Sequence, residues 1–243
     1  IIMRHIAWMT SLRYALRIKK PWETLVGSKS NKEHMKTIEV KEHELRLQEE
    51  LHGYLNEDEK EFVLSMTNKQ AACLNIQSKH FKKLKLEGLI DDFRHMEFNN
   101  IIGELFTLQG KVERIKNFPY PRQFATLNLF FLWIFMILLP FGMIHEFHEI
   151  GLNLANDENR YFMNRLIVEN FVWMTVPISV VISWVFMLME KVGDVSENPF
   201  EGTRNDVPIT TISRGIEIDV REIIGDDKNI IPKPHPNFGD TEM

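Results

Sequence analysis

An all-α, multi-pass helical membrane protein with long helices outside the bilayer is the fold class this sequence predicts, on three observations. Residues 123–144 form 22 consecutive positions without Asp, Glu, Lys, Arg or His, and residues 170–189 form 20 more. At about 1.5 Å per residue, each run is long enough to cross a hydrocarbon core of about 30 Å. Elsewhere apolar residues recur at helical spacings, and the alternation of a β-strand is absent throughout. The chain averages, 44% hydrophobic and 26% charged over 243 residues, conceal this division.

Taken in order, residues 1–18 place Ile2, Ile6, Trp8, Met9, Leu12, Ala15 and Leu16 among Arg4, Arg13 and Arg17, the pattern of a helix with a basic face. Pro21 closes it, because proline disfavours helix in the residue before it. Residues 27–34 are a polar linker. Residues 39–51 are charged and helical in pattern, with Glu42 and Arg46 spaced to pair at i,i+4. Asn56 caps a new start followed by Glu57, Asp58 and Glu59, at the positive end of the helix dipole. Two long helical stretches follow and meet near Gly88: 57–86, with a candidate break at Thr67-Asn68, and 91–116. The second carries a stripe of Phe93, Met96, Ile101, Leu105, Leu108, Val112 and Ile115.

The expected organisation is a cytoplasmic helical region at 1–122, a membrane helix at 123–144, an extracytoplasmic loop at 145–165 and a second membrane helix at 166–189. A cytoplasmic connector with an amphipathic helix fills 190–225, and a Pro-rich tail fills 226–243. Lys111, Arg114, Lys116 and Arg122 precede the first span, and Lys191 and Arg204 follow the second. The loop between holds only Arg160 and Arg165 against Glu146, Glu149, Asp157 and Glu158. That asymmetry predicts both termini on the cytoplasmic side. Pro140 and Pro177 lie inside the two apolar runs, where each is expected to interrupt helical hydrogen bonding. Ile209, Ile212, Ile216, Val220 and Ile223 mark one helical face that needs a partner surface, which the long cytoplasmic helices are expected to supply; Gly225 ends it.

Charge and motifs narrow the function classes. Residues 1–122 carry 21 Lys/Arg against 17 Asp/Glu, too mixed in sign for a nucleic-acid footprint. A single cysteine, Cys73, admits no intrachain disulfide and no multi-Cys metal site. Nucleotide-binding glycine loops and nucleophile-elbow motifs are absent, so no enzyme is expected. The segment His145-Glu146-Phe147-His148-Glu149 resembles a metal motif, but a zincin helix needs its histidines at i,i+4 and these stand at i,i+3. His145, Glu146, His148 and Glu149 are therefore weak candidates for a divalent site, against a solvated outer loop or a subunit contact. Glu169, at the start of the second span, reads as an interfacial anchor. The acidic residues of 194–206 lack the order of a calcium loop and read as a turn-rich connector.

The order of segments resembles the prokaryotic branch of the bestrophin family of ion channels. The segments HIAWMTSLRYALR (5–17), GLIDDFRHMEF (88–98), KVERIKNFPYP (111–121), ENPFEGTRNDVP (197–208) and IEIDVREII (216–224) carry it. The resemblance implies a homopentamer in the bacterial cytoplasmic membrane with an ion pore on its five-fold axis, chloride by family precedent and cations in some members. It implies partners limited to lipid, permeant ions and other subunits, and no cofactor. It also implies two further membrane helices before Ile1, one lining the hydrophobic neck. A second constriction, at the cytoplasmic exit, would fall in 88–98 with Met96 the nearest match. Phe93, Glu97 and Asn100 are its neighbours, and a core methionine is the competing role for Met96. Eukaryotic members bind calcium in consecutive acidic residues after the NPF segment. Here EGTRNDVP, with Arg204 in its middle, does not carry that site over. A non-conducting membrane scaffold or sensor, and a membrane metalloenzyme using 145–149, are the rival functions.

Overall fold

The computed structural model describes residues 1–21, 40–118, 122–156, 170–196, 198–203 and 206–236. Helices account for the regular structure among them, in the order α1 (Ile2–Leu16), α2 (Lys41–Glu44), α3 (Leu47–Leu51), α4 (Glu57–Ser65), α5 (Lys69–Leu86) and α6 (Asp92–Asn117). Then come α7 (Arg122–Asn156), a 3₁₀ turn at Phe171–Met174, α8 (Thr175–Ser196) and α9 (Ile209–Ile223). The chain divides into two compact units, one of residues 1–119 and 198–243, the other of residues 120–197.

Side-chain caps set the phase of the first unit's helices. Asn56, Asn68 and Asp91 each accept a hydrogen bond from the backbone N–H three residues on, at 2.8, 2.8 and 2.7 Å. Each satisfies one donor that the helix ladder cannot reach. The Asn68 cap is the break expected at Thr67-Asn68. Gly225 ends α9 in the left-handed region at φ +78°. Its N–H bonds to Glu222 O and that of Asp226 to Arg221 O, the paired closure that favours glycine.

The core of this unit gathers where α1 packs on α5. Ala7, Trp8, Leu51, Leu55, Val63, Cys73, Leu74, Phe81 and Ile102 form one cluster across α1, α3, α4, α5 and α6. Burying each of the larger side chains contributes about 1.5–3 kcal/mol. Trp8 Nε1 donates to Gln109 Oε1 at 2.9 Å, so the polar end of the indole is satisfied inside the core.

The basic face expected on α1 is not solvated. Arg13 and Arg17 are buried at 4% and 3% exposure. Arg13 pairs with Glu42 at 3.1 Å and with Glu50, which Lys41 also meets at 2.8 Å. The expected Glu42–Arg46 pair does not form, because 41–51 is two short helices rather than one and Glu42 turns to Arg13 and Thr210. In α9 the polar side faces inward: Thr210, Glu217 and Arg221 are buried, while Ile212, Ile216 and Ile223 are exposed. Glu217 accepts from Tyr54, Arg214 and Arg221. That ion network, not the isoleucine stripe, docks the helix on its own unit.

In the second unit α7 and α8 run antiparallel. Asn128 Nδ2 donates to Glu190 Oε2 at 3.0 Å, Phe135 meets Phe186 edge-on at 5.0 Å, and Ser179 Oγ lies 3.9 Å from Met143 Sδ. α7 continues twelve residues past the charge-free run, so 145–149 are helical rather than loop. Lack of charge marks the hydrocarbon-crossing stretch, whereas a helix persists wherever its backbone bonds are kept. Pro140 does sit inside α7. Pro177 does not interrupt α8, because it falls in the first turn, where a missing N–H costs no ladder bond.

Candidate functional site

α6 carries the four residues singled out for a constriction. Capped by Asp91, its 26 residues turn one face to the rest of the unit. Ile102, Gln109 and Lys116, seven apart, are buried on that face. Phe98 stacks on Phe81 of α5 at 4.4 Å, and Ser78 donates to Asn99 at 3.4 Å. Gln109 and Gln70 both donate to Glu113, at 2.8 and 2.6 Å.

The opposite face is open. Phe93, Met96, Glu97 and Asn100 follow one another at i, i+3, i+4 and i+7, so they share a face, and all four are exposed. Phe93 is 85% and Met96 60% exposed, which removes Met96 from the core of its own chain. Ile101, Leu108 and Ile115 continue the exposed face toward the C-terminal end. The single stripe expected along α6 is thus two faces. Leu105 packs against the core cluster, while Phe93, Met96 and Ile115 look away from it. The helical period could have separated them, had Gln109 and Lys116 been recognised as inward polar groups. A methionine flanked by a carboxylate and an amide on an open helix face offers an apolar ring with polar neighbours if copies of the chain converge there.

At the N-terminal end of this face, Lys85 bonds Asp92 at 2.8 Å and holds its carboxyl below the usual range. His145, Glu146, His148 and Glu149 are exposed on α7, and among the described residues no group of three or more His, Cys, Asp or Glu is placed to hold a metal. Glu169 and Arg204 lie outside the described residues. In the connector, Asp206 accepts from the backbone N–H groups of Phe200, Gly202 and Val207, all at 2.7 Å, and from Arg17 at 3.2 Å. Its carboxylate therefore organises a turn, as the connector reading expects.

The second unit, by itself, carries two long apolar stretches. Thr126–Leu154 and Phe171–Gly193 are each long and apolar enough to cross a membrane. Almost none of the first and little of the second is buried within the chain. Apolar surface on this scale must be covered by lipid or by other chains.

Comparison with known proteins agrees in kind. A family model described as "Bacterial/Fungal Bestrophin protein" matches residues 1–154 and 165–222. The voltage-dependent anion channel-forming protein YneE of Salmonella typhi is 24% identical over 187 residues, covering 77% of this chain and 53% of its own length. The voltage-dependent anion channel-forming protein RSc3414 of Ralstonia nicotianae is 25% identical over 166 residues, covering 68% of this chain and 46% of its own. This chain therefore spans about half the length of these curated relatives. Two crystal structures of a bacterial bestrophin homologue from Klebsiella pneumoniae match with TM-scores of 0.64 and 0.62 at 19% and 18% identity. They cover 92% and 93% of this chain and 65% and 67% of theirs, a likeness of fold.

Proposed function

The chain belongs to the bacterial/fungal bestrophin family, is a membrane protein, and on that premise we propose that it is a subunit of a homopentameric channel passing small ions down their gradients. Anions, chloride first, are the proposed permeant class, because the curated relatives are named anion channel-forming proteins. The proposed setting is the bacterial cytoplasmic membrane with both ends of residues 1–243 inside, which places α6 and its exposed face in the cytoplasm.

The observation that carries the reading is the open face of α6. Phe93, Met96, Glu97 and Asn100 stand exposed on a helix whose other face is packed into the core. Five copies meeting at an axis would turn one exposed apolar residue per chain into a closed ring, which obstructs ions by size and by excluding water. Met96 is the residue proposed for that ring.

The test is flux and stoichiometry on one preparation. The protein expressed from its gene is purified in detergent, its mass measured, and reconstituted into chloride-loaded vesicles. Five chains per particle with chloride efflux support the reading. A different stoichiometry rejects the pentamer. Tight vesicles with correctly inserted protein favour a second function, a non-conducting scaffold, for which the exposed Ile212, Ile216 and Ile223 of α9 offer a docking face.

A further inference from the structure

α9 is built the wrong way round for a helix that packs only on its own chain. Its buried side holds Thr210, Glu217 and Arg221, while Ile212, Ile216 and Ile223 stand in the open. Tyr54, Arg214 and Arg221 hold Glu217 at 3.0, 2.7 and 3.0 Å. Rolling the isoleucines inward would strip a buried carboxylate of all three donors, which is costly. The apolar side is therefore left for something outside the chain.

The spacing of that side limits what can cover it. Ile209, Ile216 and Ile223 recur every seven residues, with Ile212 and Asp219 between them. These are the a and d positions of a two-helix seam, over about 21 Å of helix. α6 carries the same device in the same unit. Ile101, Leu108 and Ile115 are exposed and also seven apart, with Glu104 and Lys111 between them. Within the chain α9 packs on α1, so it does not use this seam. At about 100° per residue, the seam lies about 120° around α6 from Met96, and a constriction and a subunit contact need not compete for one face.

Charge selects the pairing. Lys111 and Asp219 are both exposed, and neither meets an opposite charge among the described residues. In a parallel pair in register, a residues meet a residues and d residues meet d residues. Ile209, Ile216 and Ile223 then meet Ile101, Leu108 and Ile115, and Asp219 meets Lys111. Glu104 against Ile212 is the single mismatch. An antiparallel pair sets each d residue against an a residue, which leaves Asp219, Glu104 and Lys111 all against isoleucine or leucine. Two α9 helices laid parallel bring Asp219 onto Asp219, a repulsive contact. A bilayer surface suits α9 poorly, since helices that lie on one carry lysine and arginine on the polar face. Here Asp219 and Glu222 are exposed instead.

We propose that the isoleucine face of α9 docks on the α6 seam of a second copy of this chain, parallel and in register, with Asp219 paired to Lys111. The inference rests on the proposed ring of subunits and supplies the contact that closes it. One unit carries both faces, so each copy gives α9 to one neighbour and α6 to the other. A contact between two different faces repeats around a ring, whereas a self-complementary one stops at two.

The experiment uses the protein expressed from its gene, purified in detergent, with subunit number read by native mass spectrometry over a dilution series. Asp219→Lys and Lys111→Glu should each raise the concentration of half-dissociation by about tenfold or more, because each sets like charges together. The double reversal should return it to within about threefold of wild type, the signature of a direct pair. Asp219→Lys with Lys82→Glu, an exposed lysine of α5, should not. In a second measurement, Leu108→Cys/Ile216→Cys in one chain should oxidise to a ladder of more than two linked chains, with the native Cys73 buried and uninvolved. A ladder that closes at a number other than five keeps this contact and rejects the pentamer. A pentamer indifferent to both reversals and unlinked by oxidation, as when lipid or another protein covers α9, overturns the contact and keeps the channel reading. Linked dimers from Ile216→Cys alone assign a self-pairing of α9, and equal rescue by Lys82→Glu removes the Asp219–Lys111 pair; either overturns the proposal. Wild type that stays a single chain overturns both readings.

Discussion

Met96→Ala separates an aperture from a packing residue, because the two roles predict opposite pairs of outcomes. Met96 is 60% exposed, so truncation uncovers little. The covered part amounts to about 60 Å² of apolar surface, worth about 1.5 kcal/mol at ~25 cal/mol/Å². Alanine retains some of it, which leaves a cost of about 1 kcal/mol. A methionine in a core would cost about 2–5 kcal/mol on the same change. For a chain of this size about 1 kcal/mol moves the melting temperature by about 2–4 °C. In a ring of five, by contrast, each truncation removes three heavy atoms from one constriction, so the opening widens on every side at once and water enters more readily. The assay is melting temperature and single-channel conductance on one preparation of the protein expressed from its gene. Raised conductance or altered ion preference with a midpoint within about 4 °C of wild type is the expected result. A larger loss of stability with unchanged conductance would refute the reasoning and assign Met96 to a subunit contact. The aperture would then be sought at Phe93, Glu97 or Asn100.

Three further outcomes follow from the first unit. Arg13→Met leaves the buried Glu42 and Glu50 without their shared cation and should destabilise by about 3–5 kcal/mol in chemical denaturation. Burial alone would raise the Glu50 carboxyl, but Arg13 and Lys41 outweigh it and hold the group below its ordinary 4.5. Its stabilising contribution is thus complete above that value and is lost as the pH falls through the depressed one. Arg13→Met should flatten this acid limb of the stability–pH curve, and an unchanged limb would sink the assignment. Gly202→Ala puts a Cβ 3.1 Å from Arg17 Nη1 at φ +84°, where an L-residue costs about 1–2 kcal/mol. A midpoint equal to wild type would show that the Arg17–Asp206 turn can shift. Burial pushes the Cys73 thiol up to about 11, so it should resist alkylation at pH 8 in the native protein and react promptly in denaturant; rapid native labelling would contradict its place in the core.

The sequence by itself determined several local features: the charge-free runs of α7 and α8, the cap at Asn56, the break at Thr67-Asn68, the start of α6 near Asp91 and the glycine end of α9. These are local matters, settled by hydropathy and by a few neighbouring backbone groups. The segments that resemble the bestrophin family were legible for the same reason. Only the tertiary structure decided which face was covered. Periodicity says which residues share a side and is silent on what lies against it, so the isoleucines of α9 were assigned to an interior that Glu217 and Arg221 occupy. The same holds for the arginines of α1. A cation on a helix reads as solvated until its counter-charge is found, and the partner of Arg17 stands 189 residues away. Burial of that pair is favourable only when the folded chain brings the carboxylate and its backbone donors to the same point, a condition no local pattern encodes.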